Sequence, residues 1–150
     1  MKIIPIDPEL AAEVRKTLHA PGYGHPAHRE MAAGYGPCRS CLRKFQVGEE
    51  RRILFTYDPF RRREPFPLPG PIFVHEEPCS PFAASRFPPE LADLPLTLEA
   101  YASGRELLRV RRLHASVEAE IASLLAGPRT AYLHVRNTEA GCFICEIALG

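Results

Sequence analysis

Four residues of the sequence have the types and the spacing of a zinc site. Cys38 and Cys41 form a Cys-x2-Cys pair, and His75 and Cys79 follow as a His-x3-Cys pair. Zinc binds thiolates and imidazole nitrogens in a tetrahedral arrangement, and a Cys-x2-Cys turn lets two sulfurs approach one ion. Three thiolates and one imidazole would fill every coordination position. The sequence therefore predicts a zinc ion with a structural role at these four residues.

Two other interpretations of these cysteines stay open. The thiols could be reduced and packed as small apolar side chains. Alternatively, Cys38 and Cys41 could form a redox pair, with Arg39 favouring the thiolate form of a reactive cysteine. Redox pairs of the thioredoxin type follow a strand and open a helix, and nothing before Gly36 has the pattern of a strand. This argument weakens the redox interpretation.

A second group of candidate residues lies near the end of the chain. Residues 130–136 and 142–149 alternate between apolar and polar side chains, which predicts two strands joined by a five-residue loop. The alternation places Cys145 on the apolar face and Cys142 on the opposite face. Without a bulge, these two cysteines cannot bind one ion.

The register expected of this hairpin brings a cysteine, a histidine and an arginine together. The expected pairs are Arg136 with Cys142, His134 with Ile144, and Tyr132 with Glu146. His134 would then be diagonal to Cys142, within roughly 7–8 Å. A cysteine close to a histidine and an arginine can serve as a thiolate nucleophile. Cys142, His134 and Arg136 are therefore candidate catalytic residues, and an ordinary solvated sheet face is the alternative.

The elements that must position these residues predict an α+β fold. Helices are expected at residues 8–18, with Asp7 as the N-cap, and at residues 116–126. The strands expected besides the hairpin are residues 52–57, 71–75, 96–101 and 107–113. Together they predict an antiparallel sheet of about five or six strands with two helices and long proline-rich loops.

Two segments lack the periodicity of either a helix or a strand. Residues 19–37 are rich in glycine, proline and histidine and are expected to form a long loop, with His25 and His28 solvated. Residues 59–66 contain too many prolines for regular structure. Their run of three arginines, residues 61–63, is expected at a solvated loop tip.

Length and composition bound the class of protein. The 150 residues are 45% hydrophobic with a net charge of +1, which is typical of a globular chain, so we expect a single domain over residues 1–150. No apolar run reaches the ~18 residues of a membrane span, and neither half is basic enough to suggest nucleic-acid binding. No secretory signal is apparent, so a cytoplasmic location with reduced cysteines is expected. Composition does not indicate an oligomeric state.

Several segments together resemble a known family. They are Pro37-Cys38-Arg39 followed by Leu42, Gly48-Glu49 before a hydrophobic strand, the segment Gly70-Pro71-Ile72-Phe73-Val74-His75, and His134-Val135-Arg136-Asn137 followed by Gly141-Cys142-Phe143. The chain resembles the bacterial domain-of-unknown-function family 1203. The likeness covers residues 36–150, with residues 8–18 as a helical lead-in. The resemblance implies membership of that family but supplies no activity, because the family has none established.

Two classes of function follow from these residues. One is a small binding or interaction module whose loops are held by a zinc ion at Cys38, Cys41, His75 and Cys79. The other is a thiol-dependent enzyme with Cys142 as nucleophile and His134 as base. We favour the binding module, because its ligand spacing is geometrically sound whereas the sequence contains no specific catalytic motif.

Overall fold

The computed structural model describes residues 1–63 and 67–150. In chain order, the described helices and strands are β1 (Lys2–Ile4), α1 (Pro8–Thr17), β2 (His28–Met31), β3 (Arg51–Tyr57), β4 (Gly70–His75), β5 (Leu96–Tyr101), β6 (Leu107–Leu113), α2 (Val117–Leu125), β7 (Tyr132–Asn137) and β8 (Phe143–Ala148). A short 3-10 turn at Pro89–Leu91 precedes β5. Neither described helix has the length and apolar character needed to cross a membrane.

The described strands form two antiparallel sheets. The larger has the order β1-β8-β7-β5-β6, and the smaller has the order β2-β3-β4. Every pairing within them is antiparallel. The predicted α+β class, with two helices and an antiparallel sheet, is confirmed. The strands expected to share one sheet are divided between two, because β3 and β4 pair with β2.

Helix α1 begins and ends where its local sequence dictates. The Asp7 side chain accepts a hydrogen bond of 3.1 Å from the backbone N–H of Glu9, and Pro8 occupies the first helical position. Leu10 and Val14 recur on one face and are buried. Leu18 takes a left-handed conformation with φ of 53°, and this ends the helix.

Each helix covers its own sheet and makes its own hydrophobic core. Ile121 and Leu124 of α2 pack with buried side chains of the larger sheet, among them Leu98. Leu10 and Val14 of α1 pack with buried side chains of the smaller sheet. Cys38 and Cys41 belong to this second core, so the candidate metal ligands lie where the N-terminal helix meets the smaller sheet.

The prediction of a loop over residues 19–37 is wrong in its middle part, where β2 forms. Strand β2 pairs with β3 from His28 opposite Leu54 to Met31 opposite Arg51. Its side chains are mostly exposed, so it lacks the apolar alternation by which a strand is recognised. Of the predicted irregular segment at residues 59–66, residues 59–63 form turns, and residues 64–66 lie outside the described part of the chain.

The last hairpin has a different register from the expected one. His134 lies opposite Glu146, and Arg136 lies opposite Phe143, with an irregularity between Val135 and Arg136. The expected pairs of Arg136 with Cys142 and His134 with Ile144 are therefore wrong. Arg136 already lies one residue away from its expected partner, and a β-bulge at Ile144 adds a second residue of shift for the pairs beyond it, such as His134 with Glu146.

Candidate metal centre

Cys38 and Cys41 lie in a tight turn that is hydrogen-bonded to the smaller sheet. Leu42 N donates to Cys38 O at 2.8 Å, which closes the turn. Arg39 N donates to Phe73 O of β4 at 3.0 Å. The Cys-x2-Cys segment is therefore held beside the strand that carries the next candidate ligand.

His75 and Cys79 approach the turn from β4 and from the segment that follows it. His75 is the last residue of β4 and pairs with Arg52. The chain then turns through Pro78 and returns Cys79 to the same place. As a result, the ligand atoms of Cys38, Cys41, His75 and Cys79 all lie within 4.8 Å of one another.

The spacing of these atoms matches that of ligands around a tetrahedral ion. The sulfurs of Cys38 and Cys79 lie 3.8 Å apart, and Nδ1 of His75 lies 3.5 Å from the sulfur of Cys41. Two sulfurs bound at ~2.3 Å to a tetrahedral zinc are roughly 3.8 Å apart. All four cysteine and histidine side chains thus point at one small volume, and the cysteines are free thiols.

The cluster is largely closed to solvent. Cys38 is fully buried, Cys41 is 6% exposed, and His75 is 4% exposed. Cys79 is half-buried and forms the outer side of the cluster. An ion at this position would be enclosed by protein on most sides, which is typical of structural zinc sites with four protein ligands.

Surrounding groups orient the four side chains. Nε2 of His75, the nitrogen that faces away from the sulfurs, lies 2.5 Å from Oε2 of Glu50. Arg15 of α1 donates from Nη2 to the sulfur of Cys79 at 3.3 Å and from Nε to the carbonyl of His75 at 3.0 Å. The backbone N–H of His75 donates to the sulfur of Cys38 at 3.3 Å. Outer contacts of these kinds fix ligand orientation in metal sites.

The side chains of the cluster share protons unequally. Hydrogen bonds with Cys41 and Cys79 raise the pKa of Cys38, whereas the hydrogen bond from Cys38 lowers the pKa of Cys79. Hydrogen bonds with Cys41 and Cys79 also raise the pKa of His75 to about 10. These directions favour the thiolate form of Cys79 and the protonated form of His75. Metal binding to such groups releases their protons, which makes it pH-dependent.

The local structure around Cys38 and Cys41 differs from that of a thioredoxin-type pair. A strand does precede Gly36, since β2 ends at Met31, so the expectation that no strand lies there is wrong. However, the described chain opens no helix after Cys41 but continues through turns to β3. Both sulfurs also face His75 and Cys79 within the 4.8 Å cluster, so the pair does not stand alone.

The candidate catalytic residues of the hairpin are distributed differently from the expectation. His134 is fully buried in a ring of aromatic side chains, with ring-centroid distances between 4.7 and 5.2 Å. These side chains are Phe60, Tyr101, Tyr132 and Phe143. Burial lowers the pKa of His134, and its Nε2 lies 3.6 Å from Oε2 of Glu146. The burial of His134 therefore favours its neutral imidazole form, with the Glu146 carboxylate beside the ring.

Arg136 and Cys142 have separate partners. Arg136 donates from Nε to Glu99 at 2.7 Å and from Nη1 to the carbonyl of Gly141 at 3.2 Å. The sulfur of Cys142, which is half-buried, accepts from Nη2 of Arg39 at 3.2 Å. The cation that contacts Cys142 is therefore Arg39, from the turn formed by residues 38–41, and not Arg136. Cys145 is fully buried in the larger core.

Arg39 makes contacts different from the role expected of it, which is to favour a thiolate at Cys38 or Cys41. Its side chain is 2% exposed and donates from Nε to the carbonyl of Phe143 at 2.6 Å and from Nη1 to the carbonyl of Pro37. Burial lowers the pKa of this guanidinium. No local signal predicts the contact of Arg39 with Phe143, because the two residues are 104 positions apart along the chain.

The comparisons with known proteins identify the family alone. Neither the comparison with curated proteins nor that with solved structures gave a match. A family model described as "Protein of unknown function (DUF1203)" matches residues 35–148, a span that includes all four residues of the cluster. The resemblance expected from the sequence motifs is confirmed, and the chain belongs to the DUF1203 family.

Proposed function

We propose that this protein is a small binding module whose loops are fixed by a structural zinc ion. The observation that carries the proposal is the convergence of four ligand atoms within 4.8 Å, from Cys38, Cys41, His75 and Cys79. These residues come from two segments more than 30 residues apart in the sequence. One ion bound to all four would therefore cross-link the turn to the end of β4.

The donor set supports zinc as the ion and structure as its role. Thiolates with an imidazole in tetrahedral spacing favour zinc over hard cations such as magnesium and calcium. Three thiolates and one imidazole occupy all four positions, so no position remains for a substrate or an activated water. A zinc ion with three thiolates carries one net negative charge, and Arg15 contacts Cys79 from outside the cluster.

The metal-centre turn, residues 38–41, is hydrogen-bonded to several parts of the fold. Its carbonyl at Arg39 accepts from Ile6 N at 3.1 Å, and its carbonyl at Ser40 accepts from Phe82 N at 2.9 Å. Its amide at Arg39 donates to Phe73 of β4. An ion that fixes this turn also fixes the N-terminal segment and the loop around Phe82. Such a role suits a module that needs preformed loops.

The test is the metal content of the purified chain. We expect one equivalent of zinc per chain by elemental analysis, and sulfur with nitrogen ligation by X-ray absorption. Cys79→Ser should lose most of the zinc, whereas the matched variant Cys142→Ser should retain it. A wild-type protein that contains no zinc, and takes up none when zinc is added, would overturn the proposal.

A second candidate function is a thiol-dependent enzyme that uses Cys142 with His134 and Arg136. The contact of Arg39 Nη2 with the Cys142 sulfur at 3.2 Å favours it, because cationic neighbours are typical of reactive cysteines. The test is alkylation near neutral pH with mass-spectrometric mapping. Modification of Cys142 before any other cysteine supports the enzyme, and modification of Cys38 or Cys41 first contradicts it.

A further inference from the structure

A cavity of about 710 Å³ lies outside the metal centre. Three segments form it: residues 1–8, residues 57–63 and residues 81–85, with β8 contributing from below. Its apolar lining includes the side chains of Ile4, Phe82 and Phe143. Ligand-binding cavities usually measure about 300–1,000 Å³ and combine an apolar lining with a few polar groups. The size and lining of this cavity therefore suit a small organic ligand.

The charged side chains of the cavity are predominantly basic. Four basic and two acidic side chains line it: Lys2, Arg61, Arg62 and Arg63, with Asp7 and Glu146. Arg62 pairs with Asp7 at 2.6 Å, and Arg63 pairs with Glu146 at 3.0 Å. Both acidic groups are thus already neutralised by arginines.

Two cations of the cavity have no acidic partner among the described residues. Within the described residues, no acidic side chain pairs with Lys2 or Arg61. Among the described lining residues, positive charges therefore exceed negative charges by two, beside the apolar lining. An anionic group is the complement of this charge, because arginine and lysine bind carboxylates and phosphates.

Tyr57, which lines this cavity and a smaller one beside it, carries an uncharged hydrogen-bond donor. Burial raises the pKa of Tyr57 to about 12, so its hydroxyl keeps its proton at neutral pH. No described residue forms a hydrogen bond with this hydroxyl, although Tyr57 lines the cavity together with Arg61. The hydroxyl is available to donate to an anion held by the neighbouring cation.

We infer that this cavity binds an amphipathic anion, an apolar chain or ring that carries one carboxylate or phosphate head group. The apolar body would lie against Phe82 and Phe143, and the head group would lie near Arg61 and Lys2. This inference rests on the proposed function, because it names the class of ligand that the proposed binding module would bind. The cavity contains none of the four metal-ligand residues, so the two proposals fail separately.

The metal-centre turn supports three of the residues that line the cavity. Ile6 and Phe82 donate their backbone N–H groups to the carbonyls of Arg39 and Ser40. The Arg39 side chain donates to the carbonyl of Phe143 at 2.6 Å. The cavity is therefore built against the turn that the zinc ion is proposed to fix, and its shape depends on that turn.

Calorimetric titration of the zinc-loaded full chain tests the inference. The probes are decanoate and decyl phosphate, each used below its micellar concentration. The matched controls are decanol, which is neutral, and decyltrimethylammonium, which is cationic. At least one anion should bind tenfold or more tightly than both controls. The comparison of decanoate with decyl phosphate shows whether the head group is a carboxylate or a phosphate.

Charge variants then locate the head group. Arg61→Gln combined with Lys2→Gln should weaken the binding of the anion at least tenfold, whereas Arg109→Gln, an exposed arginine of β6, should leave it unchanged. Thermal denaturation checks that all variants remain folded. Backbone amide NMR should show the largest shifts at Tyr57, Phe82 and Phe143.

Three patterns of binding would overturn the inference. They are equal binding of decanol and the anions, unchanged affinity in the Arg61 and Lys2 variant, and shifts concentrated outside the cavity. Absence of binding by any probe to a zinc-loaded sample would overturn it as well, without affecting the zinc proposal. Conversely, anion binding by a chain that takes up no zinc would support the cavity and overturn the metal centre.

Discussion

At the scale of single residues, His75 presents its two ring nitrogens to different partners. Nδ1 lies 3.5 Å from the sulfur of Cys41, and Nε2 lies 2.5 Å from Oε2 of Glu50. A carboxylate on the outer nitrogen orients the ring, and loss of such a partner typically lowers metal affinity 10–100-fold. We expect Glu50→Gln to weaken zinc binding by roughly 10-fold or more, measured by competition with a chromophoric chelator.

The neighbouring residue supplies the control for this experiment. Glu49 is exposed and adjacent to Glu50, so Glu49→Gln removes the same charge without touching His75. Its zinc affinity should equal that of the wild type. If Glu50→Gln also binds zinc as the wild type does, the carboxylate has no influence on the ion.

His134 predicts a pH dependence of stability through its burial. Burial lowers its pKa in the folded protein, whereas a histidine in the unfolded chain titrates near pKa ~6.5. Below that pH the unfolded state binds more protons than the folded state, so stability is lost as the pH falls. This holds although Glu146 and Glu99, which face the ring, favour protonation, and Arg136 opposes it.

Replacing His134 by phenylalanine should remove this contribution. Phenylalanine is compatible with the four aromatic side chains that surround this position, and it cannot take up a proton. We expect the free energy of unfolding of the wild type to fall more steeply than that of His134→Phe between about pH 7 and pH 5, by at most roughly 1.4 kcal/mol per pH unit. Urea denaturation at several pH values gives both curves. Parallel curves would mean that His134 is not the group that titrates.

The four candidate ligands were predictable because their spacing is a local property of the sequence. Two residues between the cysteines, and three between His75 and Cys79, already limit each pair to a turn that can present two ligands. Glu50, Arg15 and Arg39 could not be assigned in the same way. Glu50 and Arg15 reach the cluster only after α1, β3 and β4 have packed, and Arg39 meets Phe143 across 104 residues of the chain, so no local spacing indicates these contacts.

At the scale of elements, the metal-centre turn depends on one buried arginine. The Arg39 guanidinium joins the carbonyls of Pro37 and Phe143 and the sulfur of Cys142. A lysine keeps the charge but has a single nitrogen, so it cannot make these contacts together. We expect Arg39→Lys to lower the free energy of unfolding by about 1–3 kcal/mol, because at least one buried carbonyl loses its donor.

Urea denaturation of a matched pair of variants measures this effect. Arg112 is exposed on β6, and Arg112→Lys should change stability by less than about 0.5 kcal/mol. Equal stability of the two variants would show that the buried contacts of Arg39 are dispensable. In that case the turn would be held by its backbone hydrogen bonds and by the metal ion.

Most elements follow from local sequence, and the exceptions have physical reasons. Both helices and the strands β3 to β8 coincide with predicted segments, although the pattern at β6 is ambiguous because its side chains are mostly exposed. Strand β1 has only three residues, and β2 has almost no buried side chain, so neither produces a pattern. The bulge at Ile144 likewise leaves no local signal. It forms because Phe143 packs into the smaller core while Ile144 and Cys145 pack into the larger one.

At the scale of the whole molecule, β8 and the segment that carries Cys38 and Cys41 connect two cores. Strand β8 contributes side chains to both. Cys38 and Cys41 belong to the smaller core, whereas Leu42, directly after them, belongs to the larger one. The division of the strands between two sheets could not be predicted from periodicity, because alternation shows which face is apolar but not which strands pair. Membership of the DUF1203 family adds no function, so the functional proposals rest on geometry.

Removal of zinc should therefore lower the stability of the whole chain. An ion held at 1,000 times its dissociation constant contributes about 4 kcal/mol to folding. In a chain of 150 residues each kcal/mol corresponds to about 2–4 °C in Tm. We expect a strong zinc chelator to lower Tm by about 8–16 °C, measured by circular dichroism. Added zinc in excess of the chelator should restore the original Tm, and an unchanged Tm would contradict a structural ion.

Zinc in the cluster and an anion in the cavity should also influence each other, because both depend on the metal-centre turn. Ile6 and Phe82 line the cavity and are hydrogen-bonded to the carbonyls of that turn. If zinc raises the affinity for the anion by some factor, the anion must raise the affinity for zinc by the same factor. We expect a factor of roughly 5 or more, as is typical of coupled sites.

Chelator competition with and without saturating decanoate measures this change in zinc affinity. A titration without protein corrects for binding of zinc by decanoate. A zinc affinity that does not change when decanoate occupies the cavity would show that the turn transmits nothing between the two sites.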